Sequence, residues 1–157
     1  MEPNLEYRKV KDLDTSASQK YEIGELYDNN FLRARGIFRK KTKKMHGLVT
    51  FFKTIEIKLQ KTTKEIIVVE QEGKFNNGQR KCLFRKYFYE NLLKYENLLQ
   101  DDQFSNFIQE FFEILTSPIN GKTLRSKFFI EQYFASDTEV SGIFKQFSYF
   151  SSSKTSE

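Results

Sequence analysis

The sequence predicts a β-dominated α+β domain of five strands, with one helix inserted in the strand order and a second helix at the C-terminal end. Three observations predict it. Apolar and polar residues alternate over three consecutive segments between positions 31 and 71. Across 80–100 the apolar spacing changes to three and four. Beyond that, Pro118-Ile119-Asn120-Gly121 supplies a hairpin turn, and alternation resumes over 124–134.

The elements follow in order. Residues 1–20 are polar and read as a tail or short helix, with Thr15-Ser16-Ala17-Ser18 as a flexible joint. The domain proper is expected over 21–150, with a polar tail over 151–157. Residues 31–39 form the first strand: Leu32, Ala34, Gly36 and Phe38 share one face, and Arg33, Arg35 and Ile37 the other. Gly36 inside it marks a bulge or tight bend. Residues 39–44 make a basic loop, 48–60 a second strand, 61–64 a polar turn and 65–71 a third strand rich in Ile and Val. A loop over 73–78 leads to the helix at 80–100, which Phe84, Tyr87, Phe88, Leu92, Tyr95 and Leu99 make amphipathic. Residues 107–115 fit either a helix or a strand, and the Asn120-Gly121 turn that follows favours the strand. Ser136-Asp137-Thr138-Glu139 has the spacing of a capping box, and Val140, Ile143, Phe144, Phe147 and Phe150 then form an apolar stripe on the last helix.

Apolar residues are only 38% of the 157, so large rings must supply the core; 17 Phe and 8 Tyr do so. Cys82 is the only cysteine, which excludes an intrachain disulfide and a cysteine-based zinc site and favours a reducing compartment. No apolar run is long enough for a membrane span, and the first 20 residues lack the apolar core of a signal peptide. The charge is unevenly placed. Eleven basic residues and one acid, Glu56, fall between Arg33 and Lys64, while the rest of the chain is net acidic. Such a block suits a polyanion.

The strand–helix order, together with Asn120-Gly121-Lys122, the strand around Lys127-Phe128-Phe129-Ile130 and the Ser136-Asp137-Thr138-Glu139-Val140 corner, resembles an OB-fold: a five-stranded barrel with a helix between strands 3 and 4. Phe31-Leu32-Arg33-Ala34-Arg35-Gly36-Ile37 is similar to the first strand of that family. The size resembles the smallest subunit of the CST complex, the replication-protein-A-like telomere complex, including its telomerase-associated version. The resemblance implies a nuclear protein at chromosome ends. It implies a hetero-oligomer in which the C-terminal stripe Val140, Ile143, Phe144, Phe147 and Phe150 binds a larger OB-fold subunit. It also implies weak, auxiliary contact with single-stranded DNA.

For that contact the candidate phosphate-binding residues are Arg33, Arg35, Arg39, Lys40, Lys41, Lys43, Lys44, Lys53, Lys58 and Lys122, with Phe51 and Phe52 as stacking rings. His46 stands alone with no cysteine or carboxylate cluster beside it, so no metal or other cofactor is expected. No phosphate loop, dinucleotide fingerprint or nucleophile elbow is present, and an enzyme is not expected. The alternative reading is a pleckstrin-homology-like module that binds phosphoinositides or peptides, with residues 33–44 on the headgroup. Seven strands before one helix would distinguish it.

Overall fold

Asparagine sets the first tight turns. Asn29 and Asn30 both take left-handed backbone angles, with φ of 51° and 67°, between the paired residues Asp28 and Phe31. Asn77 (φ 52°) and Gly78 (φ 86°) repeat the device between Asn76 and Gln79. Two consecutive residues at positive φ make the turn whose twist matches that of paired strands. The structure is a computed structural model that describes residues 5–13, 19–95, 97–135, 138–139 and 145–147.

Around these turns the chain runs as an antiparallel meander. Strands β1 (Glu6–Asp12), β2 (Tyr21–Asp28), β3 (Phe31–Arg39), β4 (Met45–Lys58), β5 (Thr63–Asn76) and β6 (Gln79–Tyr87) each pair with the next. The chain then leaves the sheet through a short helix α1 (Glu90–Leu93), helix α2 (Phe104–Phe111) and a separate hairpin of β7 (Phe112–Ser117) and β8 (Gly121–Ser126). It returns as β9 (Phe129–Ala135), antiparallel to β6. Two short strands, β10 (Thr138–Glu139) and β11 (Lys145–Phe147), also pair with β9.

The chain therefore does not form a five-stranded OB barrel. It forms one large antiparallel sheet, seven strands from β1 to β6 and β9, with the β7–β8 hairpin apart from it. The first three predicted strands correspond to β3, β4 and β5, the second running two residues past the end of β4, but β1 and β2 precede them, β1 within the segment expected to be a tail or short helix. The first eight residues of the helix expected at 80–100 are strand, in β6, and the short helix α1 follows. The strand expected at 107–115 is α2 running into β7. The strand expected at 124–134 is divided between β8 and β9. At the C-terminal end, Lys145–Phe147 is strand where a helix was expected.

The differences at β6 and α2 have a physical cause. In β6, Phe84 and Tyr87 are both buried. Phe84 lies opposite Gly73, while Tyr87 reaches Glu72 with its hydroxyl. Neighbouring residues Gly73 and Glu72 point to opposite faces, so β6 is covered on both sides. A strand buried on both faces loses its period of two, and here the remaining spacing of three imitates a helix. In α2 the stripe begins one turn earlier than 107: Phe104, Phe107, Ile108 and Phe111 line one side. Gln100 and Gln103 exchange side-chain-to-backbone hydrogen bonds just ahead of it and start the helix.

The core lies where α1, α2 and the hairpin cover β4 and β5. Phe52, Ile55, Ile57, Val68, Val69, Tyr87, Tyr89, Leu92, Phe107, Phe111, Phe112 and Phe128 form one buried cluster. Tyr89 donates its hydroxyl to the Val69 carbonyl and accepts from the Ser126 amide, which satisfies a polar group at the centre of this cluster. Elsewhere on the sheet, Phe51, Phe75, Phe84 and Phe134 make a second run of ring contacts, with centroids 5.2–5.9 Å apart.

Candidate nucleic-acid interface

One end of the sheet gathers basic side chains from three strand connections. The β3–β4 turn carries Arg39, Lys40, Lys41, Lys43 and Lys44, and the β5–β6 hairpin carries Lys74, Arg80 and Lys81. The two tips touch. The Arg39 guanidinium donates to Asn77 Oδ1, the Gly78 amide donates to the Met45 carbonyl at 2.8 Å, and the Asn77 amide donates to His46 Nδ1 at 3.2 Å. The Lys40 amide donates to the Lys20 carbonyl at 2.9 Å, which brings a third connection alongside.

Among the described residues, Asp12 and Glu22 are acidic groups that meet this end. Asp12 pairs with Lys9 and Lys40, and Lys43 lies 2.8 Å from Glu22. Burial acts to raise the Glu22 carboxyl, but hydrogen bonds from Lys43 and Tyr7 outweigh it and hold the group below its usual range. Lys41, Lys44, Lys74 and Lys81 are exposed and have no acidic partner among the described residues. Lys74 and Lys81 are directly opposed across β5 and β6, an arrangement of like charges that destabilises a sheet. His46 reports the local field. Its ring stacks on Tyr21 at 4.9 Å, and its pKa is lowered first by burial and then by the charges of Arg39 and Lys81.

The structure divides the residues that the sequence suggested. Arg39, Lys40, Lys41, Lys43 and Lys44 come together at this tip. Arg33 and Arg35 lie on the sheet, with guanidinium nitrogens 4.0 Å from Glu70 and 3.2 Å from Glu25 respectively. Phe52 is buried in the core and Phe51 is half-buried against Phe75, so neither presents an open face to a base. Lys53 sits over the Tyr89 ring. Lys58 lies at the opposite end of the 14-residue β4, roughly 40 Å away at the usual rise per residue. Lys122 belongs to the hairpin instead. Of the C-terminal stripe, Val140, Ile143, Phe144 and Phe150 lie outside the described residues, and Phe147 closes β11. Lys20, Lys74, Arg80 and Lys81 are additions that sequence reasoning missed. Asn77-Gly78 was the available signal, because a hairpin there places Lys74 and Lys81 face to face.

A second polar arrangement crosses the sheet. Glu25, Arg35, Thr50, Glu72, Arg85 and Glu131 stand in continuous register, one on each of β2, β3, β4, β5, β6 and β9. Residues in register share a face, so the row alternates charge on one side of the sheet. Arg35 pairs with Glu25 and Arg85 with Glu131 at 3.1 Å. The hairpin covers the middle of the row. Arg125 donates to Glu72, which also accepts from the Tyr87 hydroxyl, and Asn120 Nδ2 donates to Thr50 Oγ1 at 3.0 Å. Between sheet, hairpin and α2 is a cavity of about 500 Å³, walled by Leu32, Phe52, Ile67, Ile108, Ile114 and Leu124 together with Arg35, Asn120 and Lys122. Among the described residues no group of His, Cys, Asp and Glu could hold a metal ion. No family model, curated protein or solved structure matches this chain.

Proposed function

We propose that the chain binds the phosphate backbone of single-stranded nucleic acid through the basic hairpin end of its sheet. The observation that carries this reading is the opposed Lys74–Lys81 pair beside the Arg39–Lys44 turn. The fold holds like charges together at a cost to its own stability, and a bound polyanion relieves that repulsion. The rings expected to stack on bases are buried or half-buried, so contact falls on phosphates and carries no sequence preference. The single-strand contact implied by the OB resemblance thus survives as a proposal without the barrel, on a partly different set of residues.

Binding of this kind is salt-sensitive. Four phosphate contacts on a single strand give a slope of about −3 in log affinity against log salt. The test is fluorescence anisotropy with a labelled single-stranded oligonucleotide of mixed sequence, comparing the wild type with Lys74→Glu/Lys81→Glu. Both side chains are exposed, so the fold is retained. The expected result is a loss of about tenfold or more in affinity at low salt, with a shallower salt slope. Unchanged affinity in the folded variant would remove the tip from consideration. If the wild type binds anionic vesicles and no oligonucleotide, the partner is a membrane surface instead.

A further inference from the structure

The cavity under the hairpin has a polarity gradient that the hairpin itself sets. Asn120 belongs to the turn and Lys122 stands one residue inside β8. Leu124 and its partner Ile114 lie about two residues further, toward α2, which contributes Ile108. One end is therefore polar and the other apolar.

The polar end holds unused hydrogen-bonding groups. Arg35 Nε and Asn120 Oδ1 are both buried without a partner. They flank the same residue: Arg35 is the cross-strand partner of Thr50, and Asn120 Nδ2 donates to Thr50 Oγ1. Thr50 Oγ1 is in turn 3.5 Å from Glu72 Oε1, which leaves the amide oxygen of Asn120 as the free acceptor. A buried donor and a buried acceptor on two residues that both border Thr50 each cost stability while unpaired. Lys122 is exposed at the mouth and has no ion-pair partner among the described residues. Ile67, 54% exposed, leaves the apolar wall open to solvent.

We infer that this cavity binds an amphipathic acid whose head carries an amide or hydroxyl donor next to a carboxylate, the chemistry of an N-acyl amino acid. The acyl chain lies along Phe52, Ile108 and Leu124. The head's carbonyl accepts from Arg35 Nε, its N–H donates to Asn120 Oδ1, and its carboxylate meets the Lys122 ammonium. A volume of about 500 Å³ lies within the range of small-molecule sites. This site is separate from the basic hairpin end, and either can stand without the other.

Isothermal titration of the full chain with N-dodecanoylglycine, kept below its micelle threshold, tests the proposal. Two comparison ligands test the two parts of the head: dodecanoate lacks the amide, both its N–H and its carbonyl, and N-dodecanoylglycinamide lacks the charge. Saturable one-to-one binding of the acylglycine is expected, with each comparison ligand about tenfold weaker. Lys122→Glu should weaken the acylglycine about tenfold and leave the glycinamide unchanged. Ile67→Gln, also at an exposed position, should weaken both together. The proposal is overturned if no ligand gives saturable heat, which leaves solvent as the occupant. It is equally overturned if all three bind alike and Lys122→Glu has no effect, which is adsorption to an apolar surface.

Discussion

Arg125→Met is expected to lower the unfolding free energy by about 3–5 kcal/mol, the usual cost of removing one member of a buried ion pair. Arg125 is 6% exposed and anchors the hairpin to the sheet. Its guanidinium donates to Glu72 and, at 2.7 Å, to Thr123 Oγ1. Without it, the Glu72 carboxylate stays beneath the hairpin with only the Tyr87 and Thr50 hydroxyls beside it. The double variant Arg125→Met/Glu72→Gln should recover most of the loss, because a neutral amide still accepts from Tyr87 and no charge is left unpaired. Urea unfolding reads this as a lower midpoint at unchanged slope for the single variant and a near-normal midpoint for the double. A single variant as stable as the wild type would mean that the pair does not hold the hairpin down.

Gly36→Ala is expected to cost about 3 kcal/mol, at the upper end of what overpacking does, or roughly 10 °C in melting temperature for a chain of this length. A Cβ there would lie 2.4 Å from the Leu48 carbonyl oxygen and 2.6 Å from the Val49 Cα. Both are backbone atoms of the neighbouring strand, so relief requires β3 and β4 to separate. The pairing already shifts register between Gly36 and Phe38. Gly24→Ala is the control. Its Cβ would meet the Tyr7 ring, and the hydroxyl end of that ring is nearest, at 2.2 Å. A side chain on the edge strand can swing away, so about 1 kcal/mol is expected, with loss of the 2.6 Å Tyr7–Glu22 hydrogen bond. Differential scanning calorimetry separates the two; equal melting temperatures would show that the close approach at Gly36 is not a constraint.

The same glycine shows what was legible in the sequence. Its place inside an alternating segment signalled a bend, and the structure has both the bend and the contact that requires it. The strands around it alternate because one face is more deeply buried than the other. Legibility ended where that asymmetry ended. In β6, burial on both faces imitated a helical period. In α2, reading the apolar stripe from Phe107 rather than Phe104 hid its first turn. Asn120-Gly121 was used as a hairpin signal and Asn77-Gly78 was not, although both glycines take positive φ. Together with the helical period of 80–100, that omission separated Lys74, Arg80 and Lys81 from the Arg39–Lys44 turn. The charge block itself was visible, but it mixed residues that the fold sends to different places. Arg33 and Arg35 go to the sheet and Lys58 to the far end of β4. Only register decides such a division, and a run of charges contains no register information.

His46 is the chain's only histidine, so its ring protons give a single titrating signal by NMR. It sits at the basic tip, and its pKa is held below the ordinary value of about 6.5 by burial and by Arg39 and Lys81. Because the folded value lies below the unfolded one, this group's contribution to stability is present at neutral pH. It is lost as pH falls through the ordinary value toward the lowered one. Titration of that signal with and without a single-stranded oligonucleotide is the most direct test of a phosphate-binding tip. Phosphates at Lys74, Lys81 and the Arg39–Lys44 turn should move the His46 pKa upward, with binding tightening correspondingly as pH falls. An unchanged titration at saturating oligonucleotide would contradict the assignment of this end of the sheet to nucleic acid.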